Sequence, residues 1–169
     1  MRTTAPVLVA LGTLLLAAAC DEPTELDKSR DTWVNASAGQ SYSYIRRSVS
    51  WTGYSSTTKI TVRDDGVVVQ RDYQNSEGVS WTESGDQIGT HTTGGYPAVN
   101  LDQLYDQCES EILTVDPQEN EITFELDERG FLENCYFVPN GCADDCVDGI
   151  LIEELQFVAG GDCKTDGDC

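Results

Sequence analysis

The chain has few basic residues for its length. Lysine and arginine together number 10, against 30 aspartates and glutamates, so the formal net charge at pH 7 is −20. A surface this acidic repels the phosphates of nucleic acids and the anionic headgroups of lipids. Nucleic-acid binding is therefore excluded. The charge could attract cations or a basic partner, although a solvated acidic surface is the ordinary interpretation of such a composition.

The sequence is also poor in the residues that usually form catalytic or zinc sites. It contains one histidine, His91, and nucleophilic catalysis needs a base beside a serine or cysteine. No G-x-S-x-G motif accompanies this histidine, and no C-x₂-C pair provides the tight spacing of a structural zinc site. Paired carboxylates for hydrolysis are possible, but thirty acids are too many to point to one pair.

No apolar run is long enough for a comfortable transmembrane helix, which needs about 20 residues. The apolar stretch 5–19 follows the single positive charge of Arg2 and ends in small residues. A charged start, a short apolar run and small residues before a cleavage point are typical of a secretory signal peptide. The sequence therefore predicts export.

The end of this leader contains a cysteine. The segment LAAAC (16–20) resembles the lipobox of bacterial lipoproteins. This resemblance implies that residues 1–19 are removed and that Cys20 is acylated, so that the protein is anchored to a membrane rather than spanning it. A plain secretory leader is the alternative. Asp21 resembles an inner-membrane retention signal of some Gram-negative bacteria, and the choice between inner and outer membrane stays open.

The residues after the lipidation site lack an apolar period. The segment 20–32 is charged and contains Pro23, which predicts a flexible tether. Ordered patterns begin at Trp33, and we predict a single domain over residues 33–158. The remaining residues 159–169 are polar and form a tail that we expect a disulfide to close.

Alternating apolar and polar residues predict strands in five segments: 41–51, the two arms of 57–73, 120–126, 131–139 and 150–158. Asp65-Gly66 predicts a type I′ turn within the second segment. Residues 74–99 are rich in Gly, Ser and Thr and form either short irregular strands or one surface loop. Long loops are often functional, so Trp81 and His91 are candidate binding residues.

One segment, 99–113, has helical periodicity. Asn100 is a suitable N-cap, and the apolar residues that follow share one face. The order of elements is β-β-β-α-β-β-β. It predicts an α+β fold with a mainly antiparallel sheet of about five to six strands and one helix packed on a face. Most of the tryptophans and tyrosines, including Trp51, are expected in the core or half-buried on strands.

Acylation of Cys20 leaves six cysteines: Cys108, Cys135, Cys142, Cys146, Cys163 and Cys169. An even number in an exported chain indicates disulfides. Cys108 lies on the apolar face of the helix and Cys135 on the inner face of a strand, so this pair is the preferred bridge. Cys142–Cys146 and Cys163–Cys169 would each close a local loop.

Calcium is the one metal that the acidic turns suggest. Asp144, Asp148 and Gly149 match positions 1, 5 and 6 of an EF-type loop, but Cys146 stands at position 3 and Leu155 at position 12. A solvated acidic turn is the stronger interpretation. No cofactor is otherwise expected.

Several short motifs occur in a characteristic order: Trp33, YSY (42–44), TVRDDGVV (61–68), LDQLY (101–105), ITF (122–124) with Asp127 and Gly130, and Asp144-Asp145. In this order the chain resembles an uncharacterised family of exported bacterial lipoproteins, over roughly residues 33–158. The resemblance implies a location and a fold and carries no activity. We expect a lipid-anchored envelope domain that binds a protein or an envelope component. The alternatives are an envelope hydrolase that uses acidic residues and a purely structural lipoprotein.

Overall fold

The computed structural model describes residues 22–158. The predicted signal peptide, Cys20 and the tail with its expected Cys163–Cys169 bridge lie outside this range. The elements in chain order are α1 (Glu25–Ser37), β1 (Ser41–Val49), β2 (Ser55–Val62), β3 (Val68–Asn75), β4 (Ser80–Ser84), a 3₁₀ turn (Gly85–Gln87), α2 (Leu101–Gln107), a π-helical turn (Cys108–Ile112), β5 (Asn120–Leu126), β6 (Leu132–Pro139) and β7 (Asp148–Val158).

The strands form one antiparallel sheet of seven, in the order β4-β3-β2-β1-β7-β6-β5. Two meanders, β1–β4 and β5–β7, join where the first strand pairs with the last. The α+β class and the antiparallel sheet are confirmed, whereas the expectation of five to six strands is wrong. The additional strand is β4, which lies in the segment 74–99, where sequence left strands and loop as alternatives.

Four of the hairpins turn in the same way. In SWTG (50–53), RDDG (63–66), NSEG (75–78) and DERG (127–130), the glycine N–H donates to the carbonyl three residues earlier. Each glycine has φ between 81° and 88°, a left-handed conformation that glycine adopts without steric cost. The expected type I′ turn at Asp65-Gly66 is wrong, because only Gly66 has positive φ. The turn is a three-residue loop that ends in a left-handed glycine.

The structure contains a helix that the sequence reading missed. α1 begins after Thr24, whose side chain accepts a hydrogen bond from the Asp27 N–H while the Asp27 carboxylate accepts one from the Thr24 N–H. It includes residues 25–32 of the segment that we expected to be a flexible tether. Trp33 near its end is 1% exposed, and its Nε1 donates to the Asp102 carboxylate at 3.0 Å. The domain therefore begins earlier than residue 33, and it has two helices instead of one.

α2 follows the sequence prediction closely. Asn100 caps it by accepting a hydrogen bond from the Gln103 N–H at 2.9 Å. The predicted apolar face is buried in full, through the π-helical turn that continues the helix: Leu101, Leu104, Tyr105, Cys108 and Ile112. Both helices pack on the same face of the sheet, which we call the inner face.

The inner face is covered in two different ways. Under the helices it is apolar, with Tyr42, Tyr44, Ile150 and Ile152 in the core. Towards β3 and β4 the inward positions carry Arg71, Tyr73, Trp81 and Glu83, and the segment 85–100 covers them in place of a helix. The two halves of the sheet therefore have different chemistry on the same face.

Candidate functional site

The predicted binding residues Trp81 and His91 lie in the polar half of the inner face. Their rings stack at 4.3 Å between centroids and 7° between planes. Trp81 also stacks on Tyr73 at 5.1 Å, and the Arg71 guanidinium lies 4.7 Å from the Trp81 ring centroid. The structure thus brings the two predicted residues together. The Trp81 ring already contacts Tyr73, Arg71 and His91 of this chain, whereas the His91 side chain is 45% exposed.

A buried ion pair lies beside this stack. Arg71 and Glu83 are cross-strand partners on β3 and β4, with the Arg71 Nε 2.8 Å from Glu83 Oε2 and side chains 4% and 0% exposed. Glu83 also accepts from the backbone N–H groups of Gly89 at 2.8 Å and His91 at 2.5 Å. Burial alone would raise the pKa of Glu83, but the hydrogen bonds from His91, Gly89 and Arg71 outweigh it and lower the pKa to about 2.

Arg71 binds the carbonyl groups of the segment 85–100, whereas Glu83 binds its N–H groups. Its guanidinium donates to the carbonyl of His91 at 2.8 Å and to that of Tyr96 at 3.2 Å. Arg71 and Glu83 together therefore bind backbone N–H and C=O groups of the segment 85–100. The cluster holds this segment on the sheet, and the sequence signal for it was the pair of opposite charges at inward-facing strand positions.

Two of the predicted disulfides are present. Cys108 and Cys135 join the π-helical turn to β6 with Cα atoms 5.8 Å apart, and both are fully buried. Cys142 and Cys146 close the exposed loop between β6 and β7. Both pairings are confirmed, and Cys163–Cys169 lies outside the described residues. Structural disulfides persist in oxidising compartments, so the bridges indicate an extracytoplasmic location.

The calcium candidates Asp144 and Asp148 lie in and after this disulfide loop. Within residues 22–158, no group of three or more His, Cys, Asp or Glu side chains is arranged to hold a metal ion. Calcium binding there stays a prediction. In the same range no helix is long and apolar enough to cross a membrane.

The disulfide loop contacts the β1–β2 turn. Asp145 accepts hydrogen bonds from Ser50 Oγ at 2.6 Å and from the Trp51 N–H at 3.0 Å. Between the two loops lies a groove with a volume of about 580 Å³. We call this feature the tip groove; its lining comprises residues 47–50, Tyr96, residues 145–149, Leu151 and Glu153. The expectation that Trp51 lies on a strand, in the core or half-buried, is wrong, because it lies beyond the end of β1 and is 74% exposed.

Few of the described carboxyl groups have a pKa that is clearly shifted from its ordinary value. The described carboxyl groups with a clear shift are Asp27, Asp65 and Glu83, and the pKa of each is lowered by hydrogen bonds from neighbouring donors. A general acid needs a shift in the opposite direction. These three groups are therefore structural acceptors.

Comparisons with known protein families, with curated proteins and with solved structures find no match for this chain.

Proposed function

We propose that the protein is a lipid-anchored domain of the bacterial cell envelope that binds another protein or an envelope component without catalysis. The main support is the use of its cysteines. Four of the seven pair within the described domain, and Cys163 and Cys169 have each other as the nearest partners in sequence. Cys20 is then the odd cysteine, at the end of a secretory leader, where acylation requires a thiol.

The surface supports binding as the activity. The segment that contains His91 is held on the sheet by Arg71 and Glu83, whereas the tip groove is open and has an exposed tryptophan beside it. Exposed aromatic residues are enriched in protein interfaces. A large negative charge keeps a tethered domain away from anionic lipid and available to a partner.

The anchor is tested by expressing the full chain in a Gram-negative host with an alkyne-tagged fatty acid. We expect label on the wild-type protein and none on Cys20→Ser. A matched control, the double variant Cys142→Ser and Cys146→Ser, removes two thiols but should keep the label. Label that persists in Cys20→Ser, or none on the wild type, would contradict the proposal.

Binding is tested by cross-linking the full chain in intact cells, followed by mass spectrometry. We expect one envelope component to be recovered repeatedly with the wild type and to be absent when cells without the chain are treated in the same way. Recovery of nonspecific proteins alone, together with turnover of a substrate by the purified chain, would replace binding with an enzymatic function.

A further inference from the structure

The tip of the β1–β2 hairpin concentrates exposed apolar surface. Trp51 is 74% exposed, Val49 is 59% exposed and Val147 is 50% exposed. Val49 and Val147 line the tip groove, and Trp51 is tied to the same groove through its N–H to Asp145. Single exposed apolar residues are ordinary, but a cluster around a concave surface marks an interaction site.

The tryptophan is held in position while its side chain stays in solvent. Asp145 accepts from both the Ser50 hydroxyl and the Trp51 N–H, and it has a φ of 44°, which is uncommon for a residue other than glycine. The Cys142–Cys146 bridge closes the loop that contains it. The turn that presents Trp51 is therefore ordered before any partner binds, which lowers the entropic cost of association.

The charge of the tip groove defines what it can accept. Its lining contains the carboxylates of Asp145, Asp148 and Glu153 against one guanidinium, that of Arg47. Arg47 pairs with Glu153 at 3.2 Å, and Asp145 is engaged with the turn. Asp148 is exposed and has no ion pair with any residue of the described range. Among residues 22–158, the groove thus presents a carboxylate without a counter-ion beside apolar and aromatic side chains.

We propose that the tip groove binds a partner protein through a lysine or arginine side chain that lies next to an apolar side chain. The cation would pair with Asp148, and its methylene stem would lie along apolar surface. The apolar neighbour would cover Val49, Val147 and the Trp51 ring. A second copy of this chain is a poor occupant, because each copy has a net charge of −20 and the two would repel each other.

This inference rests on the proposed binding function and adds to it a surface and a partner chemistry. The probes are three dye-labelled peptides of equal length with alternating Lys-Val, Lys-Gly and Glu-Val sequences. Fluorescence anisotropy measures their binding to the full chain in nanodiscs of zwitterionic phosphatidylcholine, at low and at physiological salt. We expect Lys-Val to bind, Lys-Gly to bind at least about tenfold more weakly, and Glu-Val not to bind.

Two substitutions test the assignment to the groove. Trp51→Ala should weaken Lys-Val binding about tenfold or more, as for a central aromatic residue of an interface. Asp148→Asn should weaken it and also reduce its salt dependence, since the screened ion pair is lost. The matched controls are Val67→Ala, at an apolar residue that is 49% exposed on another turn, and Asp86→Asn on the 3₁₀ turn. Both should bind like the wild type.

Equal binding of Lys-Val and Lys-Gly would show that only the overall charge acts, and it would overturn the inference. The same follows if Trp51→Ala binds no more weakly than Val67→Ala. If Trp51→Ala changes the mass of the chain's oligomer in solution and leaves peptide binding unchanged, the occupant of the tip groove is a second copy of this chain, and the inference is overturned. Cross-linking to an envelope component that is unaffected by Trp51→Ala would refute the inference and leave the proposed function in place.

Discussion

Neutralising Glu83 should destabilise the domain and remove part of its pH dependence. Glu83→Gln keeps the shape of the side chain but removes the charge that faces Arg71, whose guanidinium is 4% exposed. The Arg71 cation would then be buried without a carboxylate. The amide would also offer fewer acceptor positions to the N–H groups of Gly89 and His91.

Two estimates of the magnitude agree. Removing one partner of a buried ion pair costs about 3–5 kcal/mol. Independently, the pKa of Glu83 falls from 4.5 to about 2 on folding. At about 1.4 kcal/mol per unit of pKa, this shift corresponds to roughly 3 kcal/mol of stability at neutral pH. The expected loss in Glu83→Gln is therefore about 3 kcal/mol at pH 7.

The sign of the pH dependence follows from the lowered pKa. The ionised carboxylate contributes its full stability above the unfolded-state value of 4.5 and loses it as the pH falls through the folded-state value of about 2. By linkage, only a small part of this contribution remains at pH 2. The difference in unfolding free energy between wild type and Glu83→Gln should therefore shrink steadily between pH 5 and pH 2.

Urea unfolding of the full chain, followed by circular dichroism under non-reducing conditions, measures this difference at each pH. Glu77→Gln is the control, because Glu77 is exposed on the NSEG turn and should change stability by less than about 0.5 kcal/mol. The reasoning would be refuted if Glu83→Gln matched Glu77→Gln at pH 7. It would equally be refuted by a loss that stays constant from pH 7 to pH 2.

Three further changes test the packing. In Gly149→Ala, the new Cβ would lie 2.5 Å from a backbone carbonyl of β6. Thermal unfolding should therefore show a far larger drop in Tm than for the control Gly85→Ala, whose Cβ would meet nothing within 4 Å. Equal drops in Tm would contradict this. Replacing Cys108 and Cys135 together by alanine opens a bridge between residues 27 apart and should cost about 2–4 kcal/mol in urea unfolding, and no loss would contradict it. Asn100→Ala removes the α2 cap and should cost about 1 kcal/mol, whereas an unchanged stability would show that other groups cap the helix.

The sequence predicted the elements whose period is clear. The alternating residues of β5 and the helical face from Leu101 to Ile112 were recognised because each has one apolar stripe of regular spacing, half-buried in β5 and buried in the helix. The same periods oriented Cys108 and Cys135 towards each other, which explains why this bridge was predicted correctly. Local pattern is sufficient where an element is apolar on one side and polar on the other.

α1 was missed because its buried stripe is narrow and partly polar. Its buried residues are Leu26, Ser29 and Trp33, and Ser29 is inside because its hydroxyl lies 2.7 Å from the Tyr105 hydroxyl and donates to the Gly130 carbonyl. These partners are distant in sequence. No local pattern of charges and apolar residues contains this information, so the segment resembled a tether.

The exposure of Trp51 could not be predicted for a related reason. The alternation that includes Ile45 and Val49 extends by one more step to Trp51, but β1 ends at Val49 and the SWTG turn begins at Ser50. The signal for the turn was present in its glycine, at the same spacing as in the RDDG and DERG turns. The partner of the turn, Asp145, comes from a loop 95 residues away.

The polar half of the inner face and the irregular segment that covers it depend on each other. A helix satisfies most of its backbone N–H and C=O groups internally, so it has few to offer to a buried arginine and glutamate. An irregular segment has many unsatisfied groups, which would be costly to bury without partners. Arg71 donates hydrogen bonds to two carbonyls of the segment, and Glu83 accepts hydrogen bonds from two of its N–H groups. The glycine-rich composition of residues 85–95 allows such a segment to lie close to the sheet, since a Cβ at Gly94 or Gly95 would come within 3.1 Å of the Tyr73 ring. An apolar pair in place of Arg71 and Glu83 would remove the hydrogen-bonding partners that the sheet offers to those four backbone groups, so we expect the ion pair and the segment to depend on each other.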